Sequence, residues 1–201
     1  MKSLPATERG RRTRAAIVTA AARLMRLHGL AGPSVDDVLA ASGTGKSQFY
    51  HYFDSRLDLA AAVLHHQYDR IMEAQPALRD LDHADLRAWR DQVMAASHKS
   101  SHGMCPLGTF AGQVDDEPQL SDILDELFDR WEKALADLVS HARDQGRVRP
   151  DVDPEDAGRL LLAALQGGAM ISHIHRLPTA LEHSLDAAIA ALTPGDASVT
   201  H

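Results

Sequence analysis

The residues best suited to contact a charged partner stand together at the start of one short segment, Lys46-Ser47-Gln48. A glutamine can bond an adenine through both ends of its amide, and a lysine can reach a guanine or a phosphate. The preceding Gly-Thr-Gly at 43–45 predicts a tight turn between two short helices, 35–41 and 46–52. A helix-turn-helix of this kind places its second helix in the major groove of DNA.

Further candidate DNA contacts flank this segment, because a reading helix also needs groups that grip phosphates. Tyr50, His51 and Arg56 would lie near the DNA backbone, whereas the phenylalanines at 49 and 53 are expected in the core of the small domain. The arginines at 9, 11, 12 and 14 form a basic cluster that would anchor near or in an adjacent groove. The predicted DNA-binding set is Arg12, Ser34, Thr44, Gly45, Lys46, Ser47, Gln48, Tyr50, His51 and Arg56.

The single cysteine is a second chemical candidate. Cys105 stands just before Pro106, which predicts a short helix over 107–114 with its positive end near the sulfur. A helix dipole in that position lowers the pKa of a thiol and raises its reactivity. We therefore hypothesise that Cys105 senses electrophiles or oxidants, with a sulfenic acid as one product. The alternative is that Cys105 is a small buried apolar side chain.

Histidines near the cysteine raise the alternative of a metal sensor. His98, His102 and Cys105 have a zinc-like spacing, and His173 or His175 could add a fourth ligand. Chance pairs are common among the twelve histidines of the chain, and a glycine at 103 interrupts the helix. No metal and no cofactor are predicted. An all-α enzyme built on Cys105 would need a base beside the thiol and a group that orients the base, and no spacing supplies them.

Large apolar side chains on converging helices predict a noncovalent pocket for a hydrophobic or aromatic ligand with one or two polar groups. Gln166 and His173 are polar positions on an otherwise apolar helix. Each apolar member could equally belong to the core. The candidate ligand-binding residues are Trp89, Met94, Cys105, Phe110, Phe128, Trp131, Gln166, Met170 and His173.

The elements that must position these residues are helices. Alanine and leucine recur throughout, aromatic residues make up 4% of the 201 residues, and β-branched runs are scarce, so the fold class is all-α. Apolar spacing predicts about nine helices, over 7–28, 35–41, 46–52, 56–75, 82–99, 107–114, 120–145, 154–175 and 179–192. Because 154–175 is apolar nearly all round, one face is expected inside the domain and the other against a second copy of the chain.

The part of the chain that contains the helix-turn-helix is basic, and the remainder is acidic. The formal net charge of -7 combines +4 through residue 58 with -11 over the remainder. We predict a DNA-binding domain at 1–54, a ligand-binding and dimerisation domain at 55–193, and a disordered tail at 194–201. No apolar run is long enough to cross a bilayer, and the lone cysteine excludes an intramolecular disulfide, so a cytoplasmic protein without membrane contact is expected.

The stretch from Arg12 to Leu64 resembles the DNA-binding domain of the TetR family of one-component transcriptional regulators. The residues that carry the resemblance are Ala20-Ala21 through Leu24, His28-Gly29, Ser34-Val35-Asp36-Asp37-Val38, Gly43 through Phe53, and Ser55-Arg56-Leu57. The segment Gly103-Met104-Cys105-Pro106-Leu107-Gly108 is similar to a Gly-Cys-Pro-Leu-Gly segment of one branch, with a methionine inserted. The chain departs from the family at Gly45, usually Ser or Thr, and at Leu57, commonly acidic.

The resemblance implies a homodimer with a three-helix reading head and a larger helical bundle. In such regulators a small ligand in the bundle moves the helix that corresponds to 56–75, and this spreads the two heads and releases operator DNA. The expected function is thus a non-enzymatic regulator, a repressor of a palindromic double-stranded operator, released by a small hydrophobic or electrophilic inducer. A redox or metal sensor of the same fold, acting through Cys105, is the alternative.

Overall fold

The computed structural model describes residues 5–83, 85–99 and 104–194, and all regular structure within them is helical, which confirms the all-α prediction. The eight α-helices are α1 Glu8–His28, α2 Val35–Ser42, α3 Lys46–Tyr52, α4 Arg56–Ala74, α5 Leu86–Lys99, α6 Pro118–Asp144, α7 Pro154–His175 and α8 Thr179–Leu192. Short 3₁₀ segments lie at Pro76–Leu78, Leu81–His83 and Gly108–Gln113. Apart from residue 194, the predicted tail lies outside the described residues.

Local side-chain caps set the ends of the first helices. The hydroxyl of Thr7 accepts a hydrogen bond from the Gly10 amide at 3.1 Å and begins α1. A reciprocal capping box begins α2: the Asp37 amide donates to Ser34 Oγ at 3.2 Å, and the Ser34 amide donates to Asp37 Oδ2 at 2.9 Å. Gly43, at φ 66°, supplies the left-handed residue that ends α2. These contacts reproduce the helix-turn-helix expected from the sequence.

Two predicted helices differ in extent or type. The helix expected over 82–99 begins only at Leu86, because the carboxylate of Asp85 caps it by accepting the Ala88 amide at 2.8 Å. The segment expected as a helix over 107–114 is a 3₁₀ segment with a non-helical residue, Gly112, inside it. Two glycines within six residues weaken the α-helical conformation there.

The chain folds into two compact units. Within the described residues, the first unit comprises 5–70 with 106–127, and the second comprises 71–83, 85–99, 104–105 and 128–194. In the first unit α1 packs against α2 and α3, with Ile17, Phe49 and Phe53 almost completely buried, as predicted for the two phenylalanines. The predicted DNA-binding domain falls within this unit as far as it is described.

In the second unit α8 packs against both α7 and α5. A Cβ added to Gly168 would lie 2.8 Å from the Cα atom of Leu181, so this glycine allows α7 and α8 to approach closely within one chain. Arg90 of α5 donates to Asp186 at 2.8 Å and to Glu182 at 3.0 Å on α8, and these bonds, Asp186 first, raise the pKa of Arg90. No helix in the described ranges is both long enough and apolar enough to span a bilayer.

Candidate functional site

The candidate reading surface is the exposed start of α3, where Lys46, Ser47 and Gln48 all face solvent. The next residue, Phe49, is completely buried and packs against Phe53, with 5.5 Å between the ring centroids. Lys46 Nζ lies 3.4 Å from the carboxylate of Asp36 on α2, and both side chains are largely exposed. An apolar base thus holds α3 in the unit while its first turn presents polar groups outward.

Gln48 has a structural contact that the sequence analysis did not foresee. Its side-chain oxygen accepts a hydrogen bond from the Gly45 amide at 3.1 Å, which supplies one half of a capping box where residue 45 has no side chain. Reading an adenine bidentately uses both the amide oxygen and the amide nitrogen of a glutamine. Gln48 would therefore exchange or share its cap contact on binding DNA in that way.

The other residues predicted to contact DNA around the turn differ in their exposure and in their hydrogen bonds. The Thr44 hydroxyl lies 2.7 Å from the Ser42 hydroxyl and is half-buried. Ser34 is the exposed cap of α2, with its hydroxyl donating to Asp37 Oδ2 at 2.6 Å. Tyr50 is 52% exposed and stands edge-on to the Phe49 ring, and His51 is exposed beside it. All of these residues stay predicted DNA contacts.

The arginines at 9, 11, 12 and 14, expected as one basic cluster, do not all have the same surroundings. Arg11 and Arg12 share the carboxylate of Glu8, each with a nitrogen–oxygen distance of 3.0 Å, and both stay exposed. Arg14 instead lies over the Phe53 ring, 5.2 Å from its centroid. Burial of Arg14 lowers its pKa, against a smaller raising effect of the Asp58 carboxylate. Arg14 therefore packs against the core of the unit, which corrects its sequence-based place in the surface cluster.

Arg56 and Asp58 at the start of α4 also stabilise the fold of the first unit. Arg56 Nε donates to the Pro33 carbonyl at 3.1 Å, and Arg56 Nη2 donates to the Leu30 carbonyl. Asp58 is buried and accepts the Asp54 amide at 3.2 Å, while its own amide donates to the Ser55 hydroxyl at 3.1 Å. The Ser55 hydroxyl thus caps the start of α4, and the guanidinium of Arg56, predicted near the DNA backbone, is engaged inside the unit.

Gln113 is a residue of the first unit that sequence reasoning missed. Its side-chain oxygen accepts a hydrogen bond from the Leu30 amide at 2.6 Å, and its side-chain nitrogen donates to the Thr109 carbonyl at 2.8 Å. Gln113 and Leu30 are 83 residues apart, so no local pattern could have connected them.

Several candidate ligand-binding residues are buried in the second unit. Trp89, Met94 and Trp131 are at most 7% exposed, and Phe128 is half-buried with its ring centroid 6.1 Å from that of Trp131. The Trp89 indole nitrogen donates to Gln75 Oε1 at 2.7 Å. Among the described residues, Trp131 Nε1 is the one fully buried side-chain nitrogen or oxygen without a hydrogen-bond partner.

Cys105 is buried in the second unit beside Gln166 of α7. The side-chain nitrogen of Gln166 donates to Cys105 Sγ at 3.4 Å, a contact across 61 residues. The helix expected to follow Cys105 is the 3₁₀ segment that begins at Gly108, so no α-helix start lies at the sulfur. Donation by Gln166, rather than a helix dipole, is therefore a favourable polar contact of this thiol.

Three other candidate residues lie apart from the buried group. Phe110 is completely buried in the first unit. Met170 is 48% exposed, and His173 is exposed on the same open face of α7, which separates both from the interior of the second unit.

For the metal alternative, His102 lies outside the described residues, and no three His, Cys, Asp or Glu residues in the described part are grouped to hold an ion.

Models of two protein families match the chain. The family described as bacterial regulatory proteins, tetR family, matches residues 17–63. The family described as tetracyclin repressor-like, C-terminal domain, matches residues 74–188. Together the two matches include α3 of the reading surface and most of the second unit.

Named relatives and solved structures agree with these matches. The repressor DhaR of Mycobacterium sp. (strain GP1) is 24% identical over 178 residues, with 86% of this chain and 88% of DhaR covered. Regulatory protein TetR from Rhodobacter sphaeroides superposes with a TM-score of 0.79 at 18% identity, over 90% of this chain and 99% of that one. The reduced form of NemR from E. coli gives a TM-score of 0.77 at 20% identity, over 92% and 100%. At these identities the solved structures show the fold alone.

Proposed function

Because the chain belongs to the tetR family of bacterial regulatory proteins and is a DNA-binding transcriptional regulator, not an enzyme, we propose that it is a ligand-released repressor. It binds a palindromic operator as a homodimer and leaves the DNA when a small molecule occupies the second unit. The observation that carries the DNA-binding part is the exposed Lys46-Ser47-Gln48 on the first turn of α3, held outward by the completely buried Phe49.

The proposed DNA contacts divide into base readers and phosphate contacts. Gln48 and Lys46 have the groups that discriminate bases in the major groove, with Ser47 between them. Residues around the turn and along α1 supply hydroxyl, amide and guanidinium donors for phosphates. The proposed phosphate set is Arg12, Ser34, Thr44, Gly45, Tyr50 and His51, whereas Arg56 acts mainly through its bonds to the Leu30 and Pro33 carbonyls.

The test of DNA binding is fluorescence anisotropy with the DNA upstream of the protein's own reading frame, over a range of salt concentrations. Gln48→Ala is expected to weaken operator binding by about 1–3 kcal/mol while changing the salt dependence little, because a base contact is lost and not a phosphate contact. Gln119→Ala is the matched control, since Gln119 is an exposed glutamine of the same unit outside the reading helix. Equal affinity of the two variants would contradict the assignment of Gln48.

The exposed face of α7 supports the homodimer. Large apolar side chains line it with exposed fractions between 37% and 63%: Leu160, Met170, Ile171, Ile174 and, just beyond the helix, Leu177. Apart from the adjacent residues and the backbone of α7 itself, no atom of the described residues would lie within 4 Å of a Cβ added to Gly167, so a second helix could approach there. A contiguous apolar surface of this kind is unusual on a monomer, and a twofold contact would bury it against itself.

The buried indole of Trp131 supports the ligand-responsive part. A buried N–H without an acceptor is unfavourable by about 1–3 kcal/mol, and a ligand with an acceptor atom would remove that penalty. We place the inducer beside Trp131 and Phe128, with Trp89 and Met94 as further apolar contacts. The proposed inducer is hydrophobic or aromatic and carries at least one hydrogen-bond acceptor.

Cys105 supports a second candidate function, sensing of electrophiles or oxidants by the same fold. The observation in its favour is the donation of Gln166 Nε2 to Cys105 Sγ, which would stabilise negative charge on the sulfur. The thiolate would add to the electrophilic carbon of a quinone or aldehyde, or attack a peroxide oxygen with release of hydroxide and formation of a sulfenic acid.

The sensor hypothesis predicts that quinone or peroxide releases operator DNA from the wild-type chain and not from Cys105→Ser. Intact-mass measurement on the same samples should show one adduct, or one added oxygen, on the wild type only. Gln166→Leu should slow the modification, because the stabilising donor is lost. Release of DNA from Cys105→Ser at the same reagent concentration would exclude the cysteine as the sensor.

A further inference from the structure

Leu30, in the turn between α1 and α2, has both of its backbone polar groups held by side chains from distant parts of the chain. Its amide donates to Gln113 Oε1 at 2.6 Å, and its carbonyl accepts from Arg56 Nη2. The Leu30 side chain is itself buried, at 4% exposure. The turn that connects α1 to the helix-turn-helix is therefore anchored at one residue from two sides.

The absence of a side chain at Gly29 allows Gln113 Oε1 to lie close to the backbone beside the Leu30 amide. Gly29 has φ 82°, and a Cβ at that position would lie 3.1 Å from Gln113 Oε1. The Gln113 amide is oriented by its second bond, from Nε2 to the Thr109 carbonyl at 2.8 Å. Glycine at 29 thus satisfies a left-handed backbone and leaves room for the glutamine amide, which fixes the acceptor on the Leu30 N–H.

Both side chains that hold Leu30 belong to elements whose chain continues into the second unit. Gln113 ends the 3₁₀ segment Gly108–Gln113, and the chain passes from the second unit to the first between Cys105 and Pro106. Arg56 is the first residue of α4, whose last residues, from Ile71 onward, belong to the second unit. A shift of either element in response to a ligand would act on the Leu30 peptide through a direct bond.

We propose that Gln113 is a positioning residue for DNA reading. Its bond to the Leu30 amide sets the turn between α1 and α2 and hence the presentation of α3, and loss of this bond is one step by which occupancy of the second unit lowers operator affinity. This inference rests on the proposed function and adds to it the residue through which the 106–127 segment acts on the reading surface.

The test compares variants of Gln113 in the full chain by operator affinity. Gln113→Leu keeps the approximate size but removes the acceptor, and we expect the Kd for operator DNA to rise about five- to tenfold, the equivalent of one hydrogen bond. Gln113→Glu keeps an acceptor oxygen for the Leu30 amide but loses the donor to the Thr109 carbonyl, so its Kd should lie between those of the wild type and Gln113→Leu. Gln92→Leu is the matched control, because Gln92 Oε1 accepts the Ala77 amide at 2.9 Å in the second unit.

Hydrogen exchange of the Leu30 amide, followed by NMR, gives a readout that does not need DNA. Exchange should be faster in Gln113→Leu than in the wild type and in Gln113→Glu, with the melting curve showing that each variant is folded. Gln113→Met replaces the leucine variant if that one does not fold. A wild type that binds operator, together with an unchanged Kd for Gln113→Leu or no rescue by Gln113→Glu, overturns this inference alone. A wild type that does not bind operator overturns the proposed function and this inference with it.

Discussion

The two units differ in how completely their polar and apolar groups are matched. In the first unit these polar groups have hydrogen-bond partners, either nearby in the chain or across the unit. The Asp58 carboxylate accepts the Asp54 amide, Gln48 accepts the Gly45 amide, and the Leu30 amide and carbonyl are both bonded to side chains. In the second unit the Trp131 N–H has no acceptor in the described chain. The α7 face of that unit is apolar and exposed. This contrast is the basis of our proposal that the second unit, unlike the first, is completed by a ligand and by another copy of the chain.

The largest effect is expected at the open face of α7. Ile174→Glu places a charge at a side chain that is 63% exposed in one chain, so the fold should persist while the dimer separates. Loss of the second head should weaken operator binding by about 100-fold or more, because two linked half-sites gain effective concentration. Analytical ultracentrifugation and anisotropy measure the two consequences.

Leu27→Glu is the matched control for this change, because Leu27 is 61% exposed on α1 of the first unit. It should leave the mass of the assembly unchanged. If Ile174→Glu also stays dimeric, α7 is not the interface, and its exposed apolar face would no longer indicate that the second unit requires another copy of the chain.

An intermediate effect is expected from the two buried tryptophans. Trp89→Phe removes the donor to Gln75 Oε1 and leaves a buried acceptor unpaired, whereas Trp131→Phe removes a donor that has no partner. Both tryptophans are at most 1% exposed, so the packing loss is similar. Trp89→Phe should lower the free energy of unfolding by about 1–3 kcal/mol more than Trp131→Phe, as measured by urea titration of the ligand-free protein.

With inducer bound, the difference in unfolding free energy between the two variants should become smaller or reverse. Trp131→Phe should then lose part of the ligand-dependent stabilisation, which Trp89→Phe keeps. Equal unfolding free energies for the two ligand-free variants would show that the Trp131 N–H has a hydrogen-bond acceptor in solution. The two units would then not differ in how completely their buried polar groups are hydrogen-bonded.

The smallest effect is expected at a cap of the reading head. The hydrogen bonds from the Ser34 hydroxyl and amide lower the pKa of Asp37, with a smaller contribution from His28. A carboxylate whose folded pKa is depressed adds stability above its unfolded pKa, near 4, and this stability is lost as the pH falls through the folded pKa. The melting temperature of Asp37→Asn should be slightly below that of the wild type at pH 7, and the difference should shrink as the pH falls below 4 and through the folded pKa of Asp37. A difference that is independent of pH would show that the charge of Asp37 does not contribute.

The helices were predictable because their signals are local. The capping box at Ser34 and Asp37, the left-handed Gly43 and the apolar spacing all act within four residues, and they place α2 and α3 correctly. The 3₁₀ form of Gly108–Gln113 was not predicted, because Phe110 and the preceding Leu107 fit a helical spacing while the two glycines of the segment decide the backbone. The separation of Met170 from the buried candidates also escaped the pattern, since an all-round apolar helix does not indicate which face its own chain covers.

The amino-acid sequence by itself determined an all-α chain with a helix-turn-helix, whose second helix has an exposed polar first turn and buried phenylalanines, because these follow from periodicity and capping over a few residues. Only the tertiary structure decided which side chains meet: Gln113 with Leu30 across 83 residues, Arg56 with Leu30 across 26, and Gln166 with Cys105 across 61. It also decided that Trp89 finds an acceptor while Trp131 does not. The physical reason is that a hydrogen bond requires two groups within about 3 Å in the right orientation, and for groups this far apart in the chain packing sets that distance.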